Sequence, residues 1–146
     1  MIVFLVDADN LSSPDWVNEA LEILEASEGA LAVRRAYGSA DNLKGLAEML
    51  RTWAIRPFVN LSLSKNTTDI ALASDAMEFA CQTPAPSMIV IGSGDAGAGL
   101  VSDMLRSPRA GFRPVAVLDD GSALASRLSW ANRLPLHGLS LSLSIR

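Results

Sequence analysis

The chain has 146 residues, 49% of them hydrophobic and 19% charged, which argues against disorder and leaves room for one domain burying roughly two-thirds of its surface. A single cysteine, Cys81, excludes an internal disulfide framework and fits a reducing cytoplasm, and a single histidine, His137, is too little for a histidine metal site or a Ser-His triad. The net charge of −4 argues against a uniformly basic nucleic-acid binder, and no apolar run approaches the roughly 20 residues of a membrane span.

Ile2-Val3-Phe4-Leu5-Val6, rich in β-branched residues, reads as a strand buried on both faces, and it runs straight into Asp7-Ala8-Asp9-Asn10. That start lacks the basic residues of a signal peptide, so a cytoplasmic location is expected. Ser13-Pro14 then reads as an N-cap with proline in the first helical turn, and Val17, Ala20, Leu21 and Leu24 follow helical spacing up to Gly29. Glu19, Glu22, Glu25 and Glu28 form the solvated face of that helix. A second strand is expected over 30–37, broken by Gly38-Ser39. Asp41 or Asn42 then caps a helix presenting Leu43, Leu46, Ala47 and Leu50, followed by a short third strand over 55–60.

A polar loop over 62–68 leads to a helix from about Asp69 to Cys81, with Ile70, Ala73, Met77 and Ala80 facing inward and Pro84 and Pro86 beyond its end. Met88-Ile89-Val90-Ile91-Gly92 repeats the opening pattern and ends in Ser93-Gly94-Asp95, inside a glycine-rich turn over 92–99. A helix through Leu100 and Leu105, a strand over 112–118 and a helix over 122–131 complete the series. Regular alternation of strand and helix implies an α/β fold: a three-layer α/β/α sandwich around a mostly parallel central sheet. One domain is expected over 1–136. The remaining residues, 137–146, alternate Leu and Ser with period two. They read as an edge strand, a frayed terminus or an exchanged strand, and the last leaves a homodimer open.

Two strands delivering carboxylates to one rim of a parallel sheet point to a ligand site there, and carboxylates suit a hard cation such as Mg²⁺, which needs only two or three of them beside its waters. Taken singly, Asp7 and Asp95 also read as turn residues, Asp69 as a favourable charge in a first helical turn, and Asp75 as a mid-helix residue that is either solvated or hydrogen-bonded to the loop beyond the first strand. Removing Asp7, Asp9, Asp69, Asp75 and Asp95 would turn the charge from −4 to +1, so the rest of the surface is mildly basic, with ten arginines against two lysines.

Four separated blocks, Val6-Asp7-Ala8-Asp9-Asn10, Tyr37-Gly38-Ser39, Lys65 to Ala76, and Ile91-Gly92-Ser93-Gly94-Asp95, together resemble the NYN domain, in its LabA/DUF88-like branch of the PIN-like nucleases. The resemblance runs over about residues 2–136. It implies a PIN-like sandwich and Mg²⁺- or Mn²⁺-dependent cleavage of RNA. Carried over by position, Asp7, Asp69 and Asp95 are the metal-binding acids. Asn10, Asp75, Ser93 and Asp9 support them, and Lys65 contacts a substrate phosphate as a point charge. Where the family pattern continues Ser-Gly-Asp-x-Asp-Phe, this chain has Gly97 and Ala98 in place of the second acid and the aromatic.

Two other readings compete. A haloacid-dehalogenase-type phosphatase would use Asp7 and Asp9 as nucleophile and acid with Lys65 beside them, although Asn10 stands where that family has Thr or Val. A non-catalytic RNA- or protein-binding module on the same fold is favoured by the loss at Gly97. A dinucleotide-binding Rossmann domain is disfavoured, because the first strand ends in acids rather than a Gly-x-Gly-x-x-Gly turn.

Restoring the acid with Gly97→Asp is expected to tighten Mg²⁺ binding in calorimetric titration, since more anionic ligands offset the cost of stripping water from a small ion. Thermal stability is measured alongside, because a left-handed backbone at this turn would make the change cost of order 1 kcal/mol. A folded variant with unchanged affinity would mean that the turn points away from the other acids.

Overall fold

All six residues of the first strand, β1 (Ile2–Asp7), are buried, so the centre of the sheet is where the uninterrupted apolar run places it. The computed structural model describes residues 1–11, 14–28, 31–61, 67–93 and 115–118. After β1 come α1 (Asp15–Glu28), β2 (Val33–Gly38), α2 (Ala40–Gly45), α3 (Ala47–Thr52), β3 (Arg56–Val59), α4 (Thr67–Ala80), β4 (Met88–Gly92) and β5 (Val115–Leu118). The five strands form one sheet in the order β3-β2-β1-β4-β5, and every adjacent pair is parallel. The expected helices after β4, the tail over 137–146, and Lys65, Asp95 and Gly97 lie outside the described residues.

Period-two alternation sorts the sheet into two faces. Phe4, Val6, Ala36 and Val90 pack with Val17, Leu21 and Leu24 of α1 and Leu43, Met49 and Leu50 of α2 and α3. Val3, Leu5, Tyr37, Ile89 and Ile91 pack with Leu72, Ala76 and Phe79 of α4. The result is the expected α/β/α sandwich. The chain builds outward from β1 to β3 and then returns to the other side of β1 for β4. The strand order therefore reverses between β1 and β4, and a crevice opens there beyond their carboxyl ends.

Several local expectations need correction. The second strand runs over Val33–Gly38, and the Ala32 N–H just before it bonds the Ile2 carbonyl of β1. The next helix is capped by Ser39, whose hydroxyl accepts from the Asn42 N–H, rather than by Asp41 or Asn42. That helix is two short ones, broken at Leu46, and Ala47 faces solvent. Glycine is absent from the end of α3: Ala54 takes the left-handed turn at φ 51°, while Ile55 N–H reaches Leu50 O and Ala54 N–H reaches Arg51 O, as in a Schellman stop. Glu25 is not simply solvated but pairs with Arg34.

In α4, Ile70 does not face inward: it is 61% exposed, and the buried stripe begins at Thr68 and runs through Leu72, Ala73, Ala76, Phe79 and Ala80. The stripe starts on a polar residue, so an apolar count alone begins one turn out of phase. Leu72→Ala is expected to cost about 2–5 kcal/mol of unfolding free energy, whereas Ile70→Ala should stay within about 0.5 kcal/mol. Urea denaturation of the two variants checks this, and equal losses would contradict the orientation of α4.

Candidate active site

Asp7 is the last residue of β1, and alternation turns its side chain to the α4 face, where it is only 1% exposed. A buried carboxylate must have its acceptor positions filled, and these are. Oδ1 accepts from the N–H groups of Asp9 (3.1 Å) and Asn10 (3.3 Å). Oδ2 accepts from Asn10 Nδ2 at 2.6 Å and from Ser93 Oγ at 3.2 Å. Ser93 follows β4 and is itself buried. It meets Asp7 because the β1–β4 register pairs Val6 with Gly92, so the next residues on both strands open together into the crevice.

Asp9 works differently. Its Oδ1 accepts from Ser39 N–H and Asn42 Nδ2, each at 2.8 Å, and its Oδ2 accepts from Thr68 Oγ1 at 2.5 Å. One carboxylate thus ties the loop after β1 to the start of α2 and the start of α4. Burial pushes the Asp9 pKa up, but the bonds from Thr68, Ser39 and Asn42 outweigh it and hold the carboxyl below its ordinary value. The tie needs a glycine beside it: a Cβ on Gly38 would lie 3.0 Å from both Ala8 Cβ and Asp9 Oδ1. An acid held ionised by three donors is a poor proton donor, which counts against the phosphatase reading.

Asp69 lies in the first turn of α4, next to Thr68 and on the stripe that continues four and seven residues on as buried Ala73 and Ala76. The Asp9–Thr68 bond therefore brings the Asp69 end of α4 to the loop that starts at Asp7. Asp75 is neither solvated nor bonded to the loop after β1: its Oδ2 accepts from Arg35 Nη1 and Tyr37 Oη, each at 2.5 Å. Burial together with the Asp75 bond pushes the Tyr37 hydroxyl well above its ordinary pKa. Burial works against the charge on Arg35, and the bond to Asp75 more than restores it. Tyr37 sits directly across from Asp7 in the β1–β2 register, so Asp75 adjoins the site through this strand rather than through Asn10.

Among the described residues no three acids, histidines or cysteines converge tightly enough to hold a metal ion. The carboxylate of Asp9 is committed to α2 and α4, that of Asp75 to β2, and Asp95 lies outside the described residues. The Asp7 carboxylate with the Ser93 hydroxyl beside its Oδ2 offers hard oxygen, with no thiolate or imidazole among its partners, and fits Mg²⁺ or Mn²⁺ rather than a soft metal. Sequence reasoning missed Arg35, Thr68 and Asn42. Their signal was weak, because a strand arginine and two helix-start polar residues each have ordinary uses.

The stretch that builds this parallel sheet and its buried aspartate matches a known family model, that of the NYN domain, over residues 2–123. The chain belongs to the NYN domain family. The match spans every strand and helix among the described residues, and it places this NYN domain within the PIN-like nuclease superfamily. No curated protein matches the chain.

Asp9→Asn is expected to lower stability at neutral pH, because an amide cannot accept from Thr68 while also serving both Ser39 and Asn42. A carboxyl whose pKa falls on folding contributes stability above its unfolded value of 3.8, lost as pH drops through the lower folded value. The variant should therefore show a shallower loss of stability than the parent below about pH 4. Thermal melts from pH 2 to 7 test it, and parallel curves for the two proteins would contradict the assignment.

Proposed function

We propose that this NYN domain is a metal-dependent ribonuclease that hydrolyses RNA phosphodiester bonds with Mg²⁺ or Mn²⁺. The observation that carries the reading is Asp7: a buried carboxylate at the strand-order reversal of a parallel sheet, held by partners that can release it. Two of its four partners, the Asn10 amide and the Ser93 hydroxyl, are side chains on Oδ2 that can rotate away. Oδ2 is thus the oxygen free to turn to a cation, while the two backbone N–H groups keep Oδ1 in place.

Asp7, Asp69 and Asp95 are the acids assigned to the ion. Such an ion supplies Lewis acidity and activates water near neutral pH. Asn10 and Ser93 orient the Asp7 carboxylate, and Asp9 fixes the start of α4, which carries Asp69, against the β1 loop. Asp75 holds β2 against α4 through Arg35 and Tyr37. Lys65, in the segment leading to α4, is assigned to a substrate phosphate. A cytoplasmic location suits the one cysteine, and among the described residues no helix is long and apolar enough to cross a membrane.

A second reading has one specific support. Gly97 stands where the NYN pattern carries another acid, and a weakened site would leave a domain that binds RNA or a protein without cutting it. Asp7→Asn separates the two. The nuclease reading expects this variant to lose metal-dependent RNA cleavage by at least about a hundredfold, the scale of losing a group that acts directly in the transition state. Circular dichroism should show it folded but somewhat less stable than the parent, since an amide cannot accept all four of the hydrogen bonds that the buried carboxylate receives. RNA cleavage unaffected by Asp7→Asn, or insensitive to chelation of divalent ions, would contradict it.

A further inference from the structure

The edge strand β3 carries features that the carboxylate cluster does not use. The β1–β2 register sets Asp7 opposite Tyr37, and the β2–β3 register sets Tyr37 opposite Phe58. The three residues form one row across the sheet, with Phe58 about 10 Å from Asp7 at two strand spacings. Tyr37 and Phe58 stack at 5.3 Å between ring centroids. The Arg35 guanidinium lies 5.0 Å from the Phe58 centroid, and that of Arg56 lies 5.2 Å from it. Arg35 is committed to Asp75. Arg56 is exposed and has no carboxylate partner among the described residues.

Among the described residues the helix layer leaves this corner accessible: α4 packs over β1 and β2, and Phe58 is only partly buried against the core. The edge is also poorly suited to pairing with another strand. Asn60 N–H points to Gly38 O on β2. Period-two alternation then sends the nitrogen of Pro57 outward, where it has no hydrogen to donate. An arginine without a carboxylate partner beside a half-open aromatic ring instead matches a phosphate followed by a stacked base.

We infer that Arg56 and Phe58 form a subsite for single-stranded RNA, Arg56 contacting a phosphate and Phe58 stacking a base about 10 Å from Asp7 along the Asp7–Tyr37–Phe58 row. The inference rests on the ribonuclease reading and extends it: the substrate is a single strand several nucleotides long, laid across the carboxyl ends of β1, β2 and β3. Duplex RNA does not qualify, because its bases are already stacked on each other.

Steady-state cleavage of a 12-nucleotide single strand and of a dinucleotide, by the full chain and by Arg56→Gln and Phe58→Leu, tests the subsite. Leucine keeps the apolar volume against the core, and circular dichroism checks folding. The expected result is a rise in KM for the 12-mer of about three- to tenfold in each variant. The dinucleotide is too short to span both places, so its KM should move less. For Arg56→Gln the slope of log KM against log salt should also fall by about 0.7, the value for one phosphate contact on a single strand. Equal effects on both substrates, or none, would overturn the subsite while leaving the nuclease reading intact. If the parent chain cleaves neither substrate, that reading fails instead. Fluorescence anisotropy with the 12-mer then decides the subsite: weaker binding by Arg56→Gln supports it, and unchanged or absent binding overturns it.

Discussion

Burying a carboxylate at the end of a central strand is costly unless every acceptor position is met, and the fold around Asp7 is arranged to meet that demand. At 1% exposure it has four donors, two from the backbone of its own loop and two from side chains. One of those side chains, Ser93, arrives from β4 and is close only because β4 pairs in register on the far side of β1. The requirement at one atom thus depends on the sheet order, and the sheet order depends on the apolar run that makes β1 central. A site placed where the strand order reverses inherits its rigidity from the most buried part of the molecule.

Asp9, two residues on, settles what surrounds that site. It is exposed to solvent, yet three elements meet on its two oxygens. The close approach of Gly38 lets β2 come up against this loop, so the Tyr-Gly-Ser block has a steric reason beside any chemical one. Neighbouring acids in one short motif therefore do different work. Asp7 is buried and bonded by its own loop and by Ser93 across the strand-order reversal, whereas Asp9 spends its charge on holding α2 and α4 in place. A distance count of acids in the cleft would merge the two roles, and hydrogen-bond partners separate them.

The architecture was legible from the sequence because its strongest signals are long and redundant. The two apolar runs at Ile2 and Met88 and the strand–helix alternation together imply a parallel sheet, and each ends in the residues that now lie side by side, Asp7 and Ser93. The family resemblance gives Asn10 a supporting role without naming its partner, and its amide bonds Asp7 Oδ2. Other details turned on interactions that no local pattern carries. Ile70 reads as inward because it is apolar and one turn from other apolar residues, but the helix is held by Thr68, whose hydroxyl reaches Asp9. Asp75 reads as a partner for the first loop. Which strand it meets depends instead on the β2 register, which sets Arg35 and Tyr37 on the α4 face. The break at Leu46 and the left-handed Ala54 escaped notice because neither position carries the glycine that usually marks such a turn.

The central claim is that the Asp7 carboxylate is built to receive a divalent cation. A crystal structure of the full chain soaked in Mn²⁺, with the ion located by its anomalous scattering, tests it most directly. The account predicts an ion bound to Asp7 Oδ2 at about 2.1–2.2 Å, slightly longer than the Mg²⁺ distance. Asn10 Nδ2 should be displaced from that oxygen, and both backbone bonds to Oδ1 should remain. An Asp7 still bonded to Asn10 and Ser93 at saturating Mn²⁺, with no ion within coordination distance of it, would contradict the account.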